Sequence, residues 1–160
     1  MKATVDSSVL LALGKLGYLK LLGKVFDKLF VAQSVFEEVR NDEVAAQIQE
    51  LRNERLIEIV KCSNPELLNL LSSSLGKGEI ETMVLALELK TDATLLDDLK
   101  ARKTARRLKI KVMGTMALLK AFLDLKLIEQ SPEDLCKQLI DQGFWIDEEL
   151  CLKILKDKTD

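Results

Sequence analysis

Six acidic side chains of this sequence stand where strands are predicted to end or helices to begin. In chain order they are Asp6, Glu38, Glu79, Glu81, Asp97 and Asp98. Asp6 follows the β-forming residues 3–5, and Asp97 follows the apolar run 93–96. Carboxylate oxygens are the ligands that Mg²⁺ and Mn²⁺ prefer in proteins. A cation held in this way can activate water and neutralise charge on a phosphodiester, so the pattern indicates metal-dependent phosphodiester cleavage.

Each of these carboxylates also has a purely structural interpretation. An aspartate after a strand can cap the next helix, and a glutamate in the first turn of a helix is stabilised by the helix dipole. Carboxylates gathered in one place repel one another unless a cation is bound. Because all six occupy the same kind of location, we favour a shared metal site over six separate caps.

The composition excludes several other chemistries. The 160 residues contain no histidine, which removes catalytic triads and imidazole general bases. The cysteines Cys62, Cys136 and Cys151 lack the spacing of a zinc site, and we expect unpaired, unreactive thiols in a reducing compartment. A net charge of −2 disfavours a protein whose whole surface binds nucleic acid. The chain begins without signal-peptide features and has no run long enough to span a membrane, so we expect a cytoplasmic protein.

Apolar periodicity predicts strands and helices in alternation along the chain. Strands are predicted at residues 3–5, 28–32, 56–60, 93–96 and 110–113. Helices are predicted near residues 9–13, 18–26, 35–39, 42–54, 65–74, 79–89, 100–108 and 116–125, with two more after residue 131. This alternation predicts an α/β fold with a mainly parallel sheet covered by helices on both faces, and the strand at 56–60 should form an edge.

Local sequence also predicts how several elements begin and end. Expected helix caps are Ser7 or Ser8, Ser34, Asn64 and Thr115. Residues 76–78 are predicted to form a tight loop because they contain two glycines. Phe144 and Trp145 are expected to pack the C-terminal helices against the body of the protein rather than to stack on bases.

A basic segment follows the two adjacent aspartates. Seven of the residues from 100 to 111 are lysine or arginine, and most of them fall on one predicted helix. Such a helix could hold phosphates near a metal, although a solvated helix face is the simpler alternative. The predicted nucleic-acid contacts are Ser8, Lys100, Arg102 and Arg106. Arg102 stands one turn after Asp98, so it could pair with that carboxylate or reach a substrate.

Five segments resemble the PIN-domain superfamily, which includes the VapC-type toxins, in both order and spacing. They are residues 5–13, 35–39, 76–86, 95–102 and 112–115. The sequence is most similar to a prokaryotic branch known only as predicted nucleic-acid-binding proteins. The resemblance implies a PIN-like three-layer α/β/α sandwich at residues 1–128, with a helical extension at 129–160 packed on it. It also implies cleavage of single-stranded RNA with Mg²⁺ or Mn²⁺.

The resemblance assigns metal ligands but leaves two choices open. The implied ligands are Asp6, Glu38, one of Glu79 and Glu81, and one of Asp97 and Asp98. A role as the toxin of a toxin–antitoxin pair would add an antitoxin partner, and a homodimer is compatible with it. The alternative is an inactive PIN-like module that binds nucleic acid or protein. A phosphatase with an aspartate nucleophile is disfavoured, because Ser8 stands where its second aspartate is needed.

Overall fold

The computed structural model describes residues 1–71 and 75–158, which contain five β-strands, nine α-helices and one 3-10 helix. The strands are β1 (Lys2–Val5), β2 (Lys28–Ala32), β3 (Ile57–Val60), β4 (Ala93–Leu95) and β5 (Val112–Met113). The helices are α1 (Ser7–Leu16), α2 (Gln33–Val39), α3 (Ala45–Asn53), α4 (Pro65–Leu71), α5 (Lys77–Leu89), α6 (Leu99–Arg107), α7 (Thr115–Asp124), α8 (Pro132–Asp141) and α9 (Glu148–Lys156). The 3-10 helix spans Leu19–Lys24.

All five strands are parallel and lie in the order β3-β2-β1-β4-β5. β1 is the central strand, with Thr4 aligned with Phe30 of β2 on one side and with Thr94 of β4 on the other. The strand order reverses between β1 and β4, and open parallel sheets bind ligands beyond the carboxyl ends of the strands at such a reversal. Asp6 directly follows β1 and therefore lies at this position.

Helices cover the sheet in a three-layer α/β/α sandwich, which confirms the predicted fold class. The larger cluster of buried apolar residues joins the sheet to α1, α2, α3, α7, α8 and α9. The smaller cluster joins α4, α5 and α6. Within the described ranges, no helix has both the length and the apolar character that crossing a bilayer requires.

The glycine-containing segment before α5 differs from the sequence prediction. Residues 76–78 were expected to form a loop, but α5 begins at Lys77 and includes Gly78. Gly76 precedes the helix, and its N–H donates to Oε2 of Glu79 at 3.1 Å. Because Glu79 satisfies a backbone donor at the helix start, the helix begins two residues earlier than the glycines suggest.

One of the four expected side-chain caps is confirmed. Oδ1 of Asn64 accepts a hydrogen bond from the Leu67 N–H at 3.1 Å at the start of α4. The predicted end of this helix, at residue 74, lies outside the described residues. The expected caps at the serines of α1, at Ser34 and at Thr115 are wrong, because Ser8, Ser34 and Thr115 lie inside their helices and their hydroxyls bond to carboxylates.

The helices α8 and α9 pack against each other and contribute to the larger core. Cys136 of α8 and Cys151 of α9, both fully buried, form a disulfide between Cα atoms 5.9 Å apart. The expectation of three unpaired thiols is therefore wrong for this pair, because two neighbouring helices bring together cysteines that are 15 residues apart in sequence. Cys62 is the remaining free thiol.

The aromatic residues between α8 and α9 have different environments. Phe144 is partly buried against the larger core, as expected. Trp145 is fully exposed, so the expectation that it packs the C-terminal helices is wrong. Its neighbours Phe144 and Ile146 pack partly against the core, and the Ile146 N–H donates to the Phe144 carbonyl oxygen at 3.1 Å, which makes a tight turn with Trp145 at its exposed tip.

Candidate active site

Asp6 lies at the carboxyl end of β1 and only 3% of its surface is exposed. Its N–H donates to the Leu95 carbonyl oxygen at 3.1 Å, which holds it against the end of β4. The hydroxyl of exposed Ser8 makes a long 3.5 Å hydrogen bond to Oδ2. Oδ1 is buried and has no hydrogen-bond partner among the described residues, which is costly for a carboxylate oxygen.

Glu38 and Asp6 meet at the first turn of α5. A Cβ atom on Gly78 would lie 2.7 Å from Oε1 of Glu38 and 3.5 Å from Oδ1 of Asp6. The two carboxylate oxygens therefore border the same small space beside the glycine. The absence of a side chain at Gly78 lets α5 approach α2 and β1 closely enough to bring these acids together.

The charges at this position perturb one another. The pKa of Asp6 is raised to about 7, mainly by burial and further by repulsion from the negative charges of Glu79 and Glu38. The backbone N–H of Ser7 acts in the opposite direction and lowers this pKa. The pKa of Glu79 is also raised, first by burial and further by the negative charges of Asp98 and Glu38. These interactions define an acidic cluster, which consists of Asp6, Glu38, Glu79 and Asp98.

Glu81 lies outside the acidic cluster, although the sequence left it open as a ligand. Positions 79 and 81 project about 200° apart around a helix. The carboxylate of Glu81 accepts a short hydrogen bond from the Ser34 hydroxyl of α2. Glu81 also lies near Cys62, whose thiol pKa is raised to about 12, mainly by burial and also by this negative charge. The structure thus brings Glu79, and not Glu81, to Asp6.

The two adjacent aspartates after β4 have different roles. Both oxygens of Asp97 are bonded to Thr115, whose N–H donates to Oδ1 at 2.7 Å and whose hydroxyl donates to Oδ2 at 2.6 Å. Asp97 thereby fixes the start of α7. Asp98 is exposed and caps α6 through a 2.8 Å bond from the Ala101 N–H to Oδ1, and its negative charge raises the pKa of Glu79.

The basic helix α6 begins at the acidic cluster, because Asp98 is its cap. Lys100 and Arg106 are exposed on it, and no α6 cation forms an ion pair with another described residue. Arg102 does not pair with Asp98. Its guanidinium instead lies near Gly114, where a Cβ atom would be 3.2 Å from one terminal nitrogen, and no described residue bonds to its buried Nε.

The acidic cluster fits a hard divalent cation by its chemistry. Within residues 1–71 and 75–158, no three acidic side chains converge closely enough to hold an ion as they stand. However, all donors are oxygens, one buried oxygen of Asp6 lacks a partner in the described part of the chain, and the neighbouring charges are negative. A cation would satisfy the lone oxygen and reverse the repulsion, while the partly exposed Glu38 and Glu79 have room to turn toward it.

Sequence reasoning missed three residues that shape the site. Gly78 provides the space for Glu38, whereas Ser34 and Thr115 each bind one of the acids that the sequence could not place. Residues 112–115 were recognised as one of the motifs of the resemblance, but Thr115 was interpreted as a helix cap. Nothing in the spacing of Ser34 indicates that it meets a glutamate 47 residues later in the chain.

Comparisons with known proteins agree with this fold. The profile of the DUF3368 family, a PIN domain, matches residues 2–159. Among solved structures, the fold is similar to a PilT N-terminus domain protein from the hyperthermophilic archaeon Sulfolobus solfataricus P2. The TM-score is 0.51 at 16% identity, over 82% of this chain and 97% of that chain, which shows the fold alone. No curated protein matches the sequence. Since the family profile spans nearly the whole chain, the protein belongs to the PIN-domain superfamily, a superfamily of nuclease type.

Proposed function

We propose that this protein is an endoribonuclease that cuts single-stranded RNA with Mg²⁺ or Mn²⁺. The observation that carries the proposal is the buried Asp6 carboxylate, which has an unpartnered oxygen and faces Glu38 and Glu79 at the carboxyl ends of the central strands. A structural aspartate at this position would be expected to have both oxygens bonded, as Asp97 has.

The acidic cluster would hold the cation through Asp6, Glu38, Glu79 and Asp98. When bound, a divalent cation supplies positive charge that stabilises negative charge developing on the phosphodiester and makes water more acidic. Asp6 contributes a rigid ligand, because its backbone is tied to β4 and its side chain is enclosed. Glu38 and Glu79 come from the sides of two helices and complete the site around the lone oxygen.

The cations of α6 would position the phosphates of the RNA. Lys100 and Arg106 are exposed, unpaired with other described residues, and on the helix that starts at Asp98. They make this side of the site locally basic although the chain as a whole carries a charge of −2. Electrostatic contacts of this kind follow the backbone and carry no sequence information, which suits a flexible single strand.

The test is a cleavage assay with purified protein and an end-labelled single-stranded RNA. We expect internal cuts with Mn²⁺ or Mg²⁺, no cuts with a chelator, and none by the D6N variant purified in parallel. The variant serves as a control for contaminating nuclease, because any copurifying activity would persist in it. Absence of cleavage by the wild type across several unrelated RNAs and both metals would refute the proposal.

An inactive nucleic-acid-binding module is the second candidate, because the described carboxylates do not converge to ligating distance as they stand. It predicts that RNA binds through Lys100 and Arg106 but remains uncut. The roles of toxin, antitoxin partner and homodimer are further parts of the first proposal. A toxin role would be supported by growth arrest when the protein is expressed, and an antitoxin partner by relief of that arrest when a neighbouring gene product is coexpressed. A homodimer would be supported by a dimer mass in solution.

A further inference from the structure

The outer edge of β3 presents backbone groups that are not hydrogen-bonded. Of the strands in the described residues, β3 pairs only with β2 and so forms one edge of the sheet. The Leu29 N–H donates to the Leu56 carbonyl at 2.8 Å, so alternate residues, including Glu58, direct their backbone groups at β2. The N–H and C=O groups of Ile57 and Ile59 therefore point away from the sheet. Among the described residues, nothing pairs with them.

A recess of about 380 Å³ opens beside this edge, between β3 and α3. Its lining includes Ile57, Ile59, Lys28, Arg52, Arg55 and Glu58. Lys28 and Glu58 form an ion pair at 3.3 Å and largely cancel each other. Arg52 and Arg55 have no acidic partner among the described residues, so the recess is positively charged.

Arg52 is held in position at the rim of this recess. One guanidinium nitrogen donates to Oε1 of Gln49 at 3.1 Å, and the guanidinium carbon lies 5.3 Å from the centre of the Phe36 ring. Arg55 is exposed, and its φ of 64° places it in the tight turn that leads into β3. Arg52, which these contacts hold in place, and the exposed Arg55 thus lie beside four backbone groups of β3 that are unpaired among the described residues.

We propose that the β3 edge binds an extended, acidic segment of a partner polypeptide by strand addition. A peptide backbone supplies the alternating acceptors and donors that Ile57 and Ile59 lack, and acidic side chains would meet Arg52 and Arg55. A nucleic-acid strand fits less well, because its phosphates only accept hydrogen bonds and the donors of its bases and 2′-hydroxyls do not alternate with acceptors as those of a peptide backbone do.

A second copy of this chain also fits the edge less well. Two β3 strands could pair in antiparallel orientation so that the outward N–H and C=O groups of Ile57 and Ile59 are all hydrogen-bonded. In that arrangement Ile57 of one copy lies opposite Ile59 of the other, and the pairing is centred on residue 58. It would place Glu58 directly opposite the same residue of the other copy, and like charges in this arrangement destabilise a sheet. The arginines of both copies would also approach one another.

The proposed docking edge is separate from the acidic cluster. Lys28 begins β2 and Arg55 precedes β3, so the recess opens near the amino ends of the strands. The acidic cluster lies beyond their carboxyl ends. Partner binding therefore goes beyond the proposed nuclease function and does not depend on it.

The test uses a fluorescent decapeptide that alternates glutamate with valine, with fluorescence anisotropy as the binding measurement. We expect R52Q and R55N each to weaken binding by about threefold to fivefold, as exposed charge pairs usually do. Asparagine at position 55 tolerates the positive φ. K137Q, which removes an exposed cation from α8, serves as the matched control and should bind normally. A peptide N-methylated at every residue should not bind, because it lacks the donors for the edge.

Amide hydrogen exchange gives a second measurement that does not require tight binding. The acidic peptide should slow exchange at Ile57 and Ile59 and leave Glu58 unchanged, because that amide is already bonded to β2. Four results would overturn the proposal. The first three are no protection of Ile57 and Ile59 at millimolar peptide, equal binding of a lysine–valine peptide, and dimerisation through β3. The fourth is that a random single-stranded RNA binds in place of the peptide and that R52Q and R55N weaken this RNA binding.

Discussion

Gly78 and Glu38 are in such close contact that a Cβ atom on the glycine would stand 2.7 Å from Oε1 of the glutamate. The same atom would lie 3.1 Å from Cγ2 of Val35. A glycine inside a helix costs about 1 kcal/mol relative to alanine. Here it allows α2 and α5 to approach each other, and the packing of two helices thereby decides where a carboxylate of the acidic cluster lies.

The G78A variant should lose activity without losing its fold. The new methyl group must push Glu38 and Val35 away, so we expect RNA cleavage to fall by at least about tenfold, which corresponds to about 1.4 kcal/mol. The higher helix propensity of alanine offsets the strain, and the melting temperature should change little. G76A is the control, because a Cβ atom there meets nothing closer than 3.7 Å. Full activity of G78A would show that Glu38 is not needed in its observed position.

Asp6 should make the metal-free protein less stable as the pH rises. Its pKa is raised from 3.8 to about 7 on folding, so the folded state keeps a proton that the unfolded state releases between these values. The contribution of Asp6 to the free energy of unfolding is complete below pH 3.8, falls as the pH rises, and is lost above pH 7. The total loss in unfolding free energy is about 4 kcal/mol. In D6N this dependence should disappear. Urea titrations of both proteins at mildly acidic and mildly alkaline pH measure it, and parallel pH profiles would contradict it.

Glu79 and Glu81 should respond differently to the same substitution. E79Q keeps an acceptor for the Gly76 N–H but loses its charge, so the rise in melting temperature on adding Mn²⁺ should shrink and cleavage should fall. E81Q keeps an acceptor for the Ser34 hydroxyl and leaves the acidic cluster intact. Its response to Mn²⁺ and its cleavage rate should match the wild type. The reverse result would move the metal site to Glu81.

The adjacent aspartates should separate activity from stability. D98N retains the cap of α6, since asparagine caps a helix as well as aspartate does, and we expect normal stability with reduced cleavage. D97A removes the acceptor of two hydrogen bonds from Thr115 and should cost about 2 kcal/mol of unfolding free energy. Thermal melts and cleavage rates of the two variants distinguish these roles. An active D98N would exclude Asp98 from catalysis.

Reduction of the disulfide should destabilise the C-terminal helices. A crosslink that closes a loop of 15 residues contributes about 3 kcal/mol by restricting the unfolded chain. Denaturant titrations with and without a thiol reductant measure this difference. C62A should respond to reductant like the wild type, whereas the double variant C136A/C151A should not respond. If reductant has no effect on the wild type, the two cysteines are not paired in solution.

Local sequence predicted much of the fold because its signals act over a few residues. The strand at Lys28–Ala32 was placed correctly at both ends, and the strand Ile57–Val60 was correctly placed at an edge. Asp6 was correctly placed beyond β1, because an acid that directly follows a strand must lie at its carboxyl end. The start of α5 and the shortened β5 were missed, since a backbone cap and the pairing of neighbouring strands set those boundaries.

Sequence by itself thus determined the α/β architecture, the PIN-domain resemblance and six candidate acids. Only the tertiary structure shows which of those acids lie in the acidic cluster and which are hydrogen-bonded to hydroxyls elsewhere. Ser34 of α2 binds Glu81, which is 47 residues away in the chain, and Thr115 of α7 binds Asp97, which is 18 residues away. The same holds for Cys136 and Cys151, whose pairing requires α8 and α9 to pack together. Periodicity fixes the face on which a side chain lies, but only the packing of distant elements fixes its partner.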